Sequence, residues 1–369
     1  MKKNILNLAL AITLSGLAST ANADYIFTDL GALVGGLSYA TAINNAGQAV
    51  GYSNNTNSNF SARAVLWDGN ASTNLESSGS INSIAFAINK FGQVAGSIDS
   101  YYAGSSTKAT IWTANIPTTI GAQDGNPSYN YATGINDTGQ VVGVAQYSVP
   151  FRAALWNGSV MTDLGTLGGS YSSARDINAS GQIAGWSNIT GDATNHATLW
   201  NGTTITDLGT LDGGSSWGIA INNAGQVAGS SSIGSNNAIH ATIWNGSVMT
   251  DIGTLGGLVS QSFAINNSGQ VAGYSDSASG VHATLWNGST LIDLNTLLDS
   301  KTSSAGWVLN QATGINDNGW IVGNASNSAL GITSHAFMMS SAPVPETESY
   351  VMLLAGLCVL GFIVRRRNY

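Results

Sequence analysis

A nine-residue block, Ile-Asn-x-x-Gly-Gln-Val-x-Gly, recurs along this chain and restricts its fold more than any other feature. Its Asn falls at Asn44, Asn89, Asn136, Asn178, Asn222, Asn266 and Asn316, spaced by 45, 47, 42, 44, 44 and 50 residues, with small departures in the first and last copies. A second block, Ala-x-Leu/Ile-Trp, places Trp67, Trp112, Trp156, Trp200, Trp244 and Trp286 at one position of six units, and the seventh copy, Ala336–Met339, has lost its Trp. Repetition at this period belongs to solenoids, propellers and arrays, so a unit must be explained before the whole.

Each unit reads as four short strands. Ser-x-Ala-x-x-Ile-Asn is the first, Gln-Val-Ala-Gly-x-Ser the second, His-Ala-Thr-Leu-Trp the third and Val-Met-Thr-Asp-Leu the fourth. No segment carries a 3.6-residue period, so the domain is expected to be all-β. Asn-Gly between the third and fourth strands is a strong hairpin signal, because a type I′ turn needs φ > 0 at both central residues. With Asn201-Gly202 as those residues, Trp200 faces Thr203 and His196 faces Asp207. The same count sets Arg152 opposite Asp163, His240 opposite Asp251 and His282 opposite Asp293. The seventh unit has His335 but no hairpin after it, whereas Tyr25–Leu30 reads as a fourth strand with no third strand before it. Pairing the two ends sets His335 opposite Asp29. A linear solenoid would want polar caps at both ends. A closed ring wants this permutation, which removes the open edge. The expectation is a seven-bladed β-propeller of four-stranded blades, closed by the N-terminal strand completing the last blade.

The chain extends beyond the ring at both ends. Residues 1–23 read as a signal peptide, with Lys2 and Lys3, the apolar run Ile5–Leu17, and Ala21 and Ala23 before a cut at Asp24. Residues 24–340 are the propeller and 341–349 a linker. Residues 350–369 are expected as a short transmembrane helix plus a basic tail. Its uncharged run, Tyr350–Val364, is shorter than the roughly 20 residues of a standard spanning helix. Arg365, Arg366 and Arg367 should stay cytoplasmic. Residues 24–340 carry 6 Lys+Arg against 17 Asp+Glu, a net charge of −11 before His is counted. An acidic body without a basic stripe argues against nucleic acid and anionic lipid surfaces. Cys358, the only cysteine, lies in the terminal run, so the ring has no disulfide and depends on burial.

Little in the ring resembles a catalytic or metal site. The four histidines share one repeat position, so a propeller holds them one per blade and far apart, as partners of Asp rather than as metal ligands. The repeat-locked Trp residues read as packing. Trp186, Trp217, Trp307 and Trp320 stand where the other units carry no Trp, which makes them the candidates for stacking on a ligand. Arg175, on a first strand where most units have small or neutral residues, joins them. The sequons at Asn157, Asn201, Asn245 and Asn287 are accounted for by their turns, and the Asn-Asp turns lack the spaced carboxylates of a calcium loop. No cofactor is expected.

The blocks Asp163–Gly169, Ile221–Gly229 and His335-Ala336-Phe337 resemble the HAF family of bacterial extracellular repeats, over the whole of 24–340, with Thr for the family's Phe in units four to six. The resemblance implies an exported repeat protein. The tail, with Val344, Pro345 and Glu346, the apolar run and Arg365–Arg367, resembles a PEP-CTERM sorting signal in which Thr347 replaces the second proline. That likeness implies recognition by an exosortase-type protease of a Gram-negative envelope, cleavage near Pro345–Glu346, and release to the surface or an exopolysaccharide matrix. The alternative is a plain membrane anchor. The expected function is thus a non-catalytic surface or matrix protein. A glycan-binding propeller is the runner-up, and a polysaccharide-active enzyme comes third.

Overall fold

In the computed structural model, residues 25–341 are described apart from 34–35, 55–61, 77–81, 101–105, 122–128, 147–149 and 235–237. The expected signal peptide with Ala21 and Ala23 lies outside the described residues. So do the sorting segment with Val344, Pro345 and Glu346, the terminal apolar run, and Arg365, Arg366 and Arg367. Among the described residues no helix is long and apolar enough to cross a membrane.

Seven four-stranded antiparallel sheets form a seven-bladed β-propeller. Six are built from consecutive strands. In the fourth blade these are Gly168–Ile177, Ile183–Ile189, Asn195–Asn201 and Thr204–Asp207. The remaining sheet joins Trp307–Ile315, Ile321–Asn327 and Ile332–Ser341 to Tyr25–Asp29, which pairs antiparallel with Ile332–Ser341, Asp29 opposite Phe337. The longer connection before this blade holds one short helix, Ser300–Ser304, started by Asp299 accepting from the N–H groups of Lys301 and Thr302.

The core is divided among the seams between blades. Seven apolar clusters each draw on two neighbouring blades. Trp200 of the fourth blade packs with Val142 and Ala153 of the third, and Trp244 of the fifth with Ala184 and Ala197 of the fourth. Trp112, Trp156, Trp200 and Trp244 are buried with no acceptor for their indole N–H among the described residues. Leaving such a donor unmet costs about 1–3 kcal/mol, so these rings are retained for volume. Met339 occupies the Trp position of the seventh blade and shares its cluster with Phe337, both fully buried.

The third–fourth hairpin departs from the expected register. Asn201 pairs with Thr204, Trp200 with Ile205 and Thr198 with Asp207. Gly202 has φ +60 and Thr203 is not among the left-handed residues, which is the type II′ arrangement with Gly first in the turn. The second blade, which lacks this Gly, uses Ala114 at φ 48 and Asn115 at φ 65, the type I′ form. His196 is therefore diagonal to Asp207 rather than opposite it. The side chains still meet across that diagonal, a reach that long side chains have.

Each of the seven first strands carries the same irregularity. A bulge interrupts its pairing with the second strand, as between Ala174 and Asp176 or Gly218 and Ala220. The last Gly of the nine-residue block permits it. A Cβ on Gly51, Gly96, Gly143, Gly185, Gly229, Gly273 or Gly323 would lie 1.8–2.0 Å from a carbonyl oxygen of the first strand. Any side chain there forces the two strands apart.

Candidate functional site: the central bore

The first strands face the axis, and three layers of side chains line the bore. The outermost is the Asn of the nine-residue block. Asn222 Oδ1 accepts from the N–H groups of Ala224 and Gln226 at 3.1 and 3.0 Å, which ties down its own turn. Its Nδ2 donates to Gln226 Oε1 at 2.8 Å and to the carbonyl of Asn266, in the next blade, at 3.1 Å. Each of the other six donates likewise to the following blade, and Asn316 donates to the carbonyl of Asn44 at 3.0 Å. The result is an unbroken circle of seven amides. At the same rim Asp317 accepts from Asn267 N–H and from the side chains of Asn45 and Asn267. Burial raises its pKa, and these hydrogen bonds outweigh burial and hold it low.

Beneath the amides lies a collar of seven isoleucines, Ile43, Ile88, Ile135, Ile177, Ile221, Ile265 and Ile315, between a rim cavity of about 280 Å³ and a chamber of about 560 Å³. The chamber wall is set by the bulges, whose extra residues are Thr41, Phe86, Thr133, Arg175, Ile219, Phe263 and Thr313. Thr41, Thr133 and Thr313 direct their hydroxyls to carbonyls of the next blade, those of Ala85, Ala174 and Ala40, at 2.9, 3.0 and 2.8 Å.

The fourth blade is the exception. Among the described residues, Arg175 and Asp176 are the only charged ones lining the chamber. Asp176 accepts from Ile177 N–H at 2.8 Å and, across the seam, from Ile221 N–H at 2.9 Å. Burial pushes its carboxyl up to about 6 against the pull of these two donors. Arg175 is exposed, and the surface it presents opens into the chamber of the bore. The protein around the bore lowers its pKa by desolvation. Among the described residues no carboxylate comes within 4.0 Å of its guanidinium, and its N–H groups meet no protein acceptor.

The remaining candidates divide by location. The expected polar pairs come together on the outer part of the blades: His196 Nδ1 to Asp207 at 2.8 Å, His240 to Asp251 at 2.9 Å, His282 to Asp293 at 2.6 Å, His335 to Asp29 at 3.0 Å, and Arg152 to Asp163 at 3.4 Å. The Asp residues also cap the following turn, as where Asp207 accepts from Gly209 N–H. Being part-exposed, each pair contributes roughly 0–1 kcal/mol. Among the described residues no group of three or more His, Cys, Asp or Glu side chains could hold a metal ion.

Trp307 packs on Phe27, ring centroids 5.1 Å apart, and Trp320 lies over Gly47 and donates to Ser341 Oγ at 3.2 Å. Trp307 thus packs within the seventh blade, at its seam with the sixth, and Trp320 lies at the seam between the seventh blade and the first. Trp186 and Trp217 remain half-buried beside one seam, where Gly185 and Gly218 bring the fourth and fifth blades into close approach. The sequence reading missed Asp176, Phe86, Phe263 and the stitching role of the block's Asn. Asp176, Phe86 and Phe263 all sit at positions that vary inside an otherwise fixed unit, and that variation is the signal that could have found them.

The fold and bore define a seven-bladed β-propeller with one charged step in an otherwise neutral chamber. It is similar to the β-propeller domain of the trilobed protease from Pyrococcus furiosus, which has an open velcro topology, with 13% identity over 71% of this chain and 84% of that one and a TM-score of 0.50. It is also similar to a puromycin-hydrolysing peptidase of Mycobacterium tuberculosis, with 10% identity, a TM-score of 0.55, and coverage of 84% of this chain and 53% of that one, about half that protein's length. At such identities the likeness is one of fold alone. No protein-family model matches the chain, and no curated protein does.

Proposed function

We propose that this chain is an exported, non-catalytic propeller of the cell surface or exopolysaccharide matrix, delivered by residues 1–23 and sorted or anchored through its C-terminal segment. The observation that carries the reading is where the repeat's polar side chains go. Asn, Ser and Asp, the residues that recur, are engaged in joining blade to blade or in capping turns. At five seams, for example, a third-strand Ala N–H donates to the Ser of the next blade. A unit selected in this way favours a durable scaffold. The pairing of Tyr25–Asp29 with Ile332–Ser341, reinforced by His335–Asp29 and by Trp307 on Phe27, fits a ring closed by its own ends. The resemblance to HAF repeats and to a PEP-CTERM signal supports the cellular address, with an exosortase-type protease as processing partner. Fractionation with mass spectrometry of both termini tests it. The expected product begins at Asp24 and lacks Arg365–Arg367 if sorted or keeps them in the membrane fraction if anchored, whereas intact ends on cytoplasmic protein overturn the proposal.

A second reading, glycan binding, is favoured by the half-buried Trp186 and Trp217 flanking one seam and by the Tyr39–Tyr52 stack at 4.9 Å. Aromatic faces of this kind suit extracellular polysaccharide. On a glycan array it requires saturable binding that Trp217→Ala abolishes.

A further inference from the structure

We infer that the chamber is a binding site for a small monocarboxylate, its charged end on the Arg175 guanidinium and its body between the rings of Phe86 and Phe263. The inference does not rest on the cellular address proposed above, because it concerns only the bore.

Arg175 is where a cation has least reason to be. Residues 24–340 hold only six Lys and Arg, and one of them replaces a Thr, Phe or Ile that serves at the same bulge in the other blades. The bulge is fixed by Gly185, whose Cβ would meet Ser173 O at 2.0 Å, so the backbone cannot withdraw the side chain. Asp176, the one carboxylate in the chamber, has each oxygen committed to a backbone N–H. The guanidinium thus faces the chamber without a protein acceptor among the described residues, and an anion entering the chamber would supply one. Planar bidentate pairing matches guanidinium to carboxylate.

The walls narrow the class further. Phe86 and Phe263 flank the axis from blades two and six, and Ile219 lies beside Arg175, so the body of the ligand meets apolar surface. A chamber of about 560 Å³ lies within the range of small-molecule pockets, roughly 300–1,000 Å³. Asp176 in the same chamber disfavours a dianion such as phosphate by like-charge repulsion. It also predicts a pH dependence. The ionisable groups lining the chamber are Arg175, Asp176 and Tyr131, and neither a guanidinium nor a phenol ordinarily titrates between pH 5 and 7.5. With its carboxyl pushed up to about 6, Asp176 becomes neutral as pH falls, so an incoming anion meets less repulsion and binds more tightly.

Calorimetric titration of the full chain with benzoate and with glucuronate tests the inference, with benzyl alcohol and inorganic phosphate as comparisons. At least one carboxylate should bind saturably, more tightly at pH 5 than at pH 7.5, and the alcohol should not. Arg175→Gln should weaken binding at least about tenfold, ~1.4 kcal/mol, without lowering the melting temperature, and Arg175→Lys should restore part of it. If the Gln variant fails to fold, the pH profile of the unaltered chain and the Lys variant decide. Failure of both carboxylates to bind, binding of phosphate alone, a flat or reversed pH profile, or undiminished binding to Arg175→Gln overturns the inference. None of these outcomes bears on the terminal processing test above.

Discussion

Asp176 stands at a position that is Ala or Gly in the other six blades, and its ionisation is coupled to stability. Its folded pKa, about 6, lies above the ordinary carboxyl value of 3.8 because burial disfavours the charged form, although the Ile221 and Ile177 N–H groups act in the opposite sense. The native state therefore holds this proton more tightly than the unfolded chain does. Its stabilising effect is complete below about pH 4 and is lost as pH rises through about 6. Urea denaturation should show stability falling between pH 4 and 7 by on the order of 3 kcal/mol. Asp176→Asn should remove that slope, and an unchanged slope would assign it elsewhere. The neighbouring Arg175 was legible in the sequence because a cation breaks the pattern of a neutral repeat position. Asp176 breaks its own column just as clearly. It is not legible as a site residue because a buried carboxylate is marked only by the N–H groups that folding brings to it.

The hairpin and the bulge show what a repeat pattern can and cannot specify. Strand identity, strand order and the His–Asp partners were legible, since each follows from alternation and spacing. The phase of the third–fourth turn was not. Moving the turn from Asn201-Gly202 to Gly202-Thr203 shifts the pairing by two residues in total, which leaves every side chain on its original face. Hydrophobic alternation is blind to such a shift, and only the φ preference of one glycine decides it. The bulge was invisible for a related reason: nothing in the sequence marks a carbonyl that presses on a neighbouring strand. The two glycines should respond differently to a methyl group. Gly229→Ala meets Trp217 O at 1.9 Å and should cost ~3 kcal/mol or more, at the upper end for overpacked sites. Gly202→Ala has nothing within 4 Å and bears only the strain of φ +60, about 1–2 kcal/mol. Denaturation midpoints of the two variants would reverse in order if the bulge were not the tighter constraint.

Across the whole molecule, the count of seven blades was legible because one block recurs seven times, but the part that block plays was not. Its Asn reads as a turn residue, and the turn explains its Oδ1. Only assembly of neighbouring blades gives its Nδ2 a second partner. Asn222→Ala deletes, at a buried site, one oxygen that accepts two hydrogen bonds and one amide nitrogen that donates two, and should destabilise the ring by ~2–4 kcal/mol. Asn222→Asp keeps both turn bonds but sets an oxygen against the Asn266 carbonyl, so thermal denaturation should show a comparable loss. Tolerance of Asp with intolerance of Ala would mean that the turn, not the seam, is what matters. Because all seven amides lean in the same rotational sense, no blade is first or last along that rim. A linear stack of these units would fray from its tips, whereas here there is no tip, and loosening must pass from neighbour to neighbour around a circuit that has nowhere to begin.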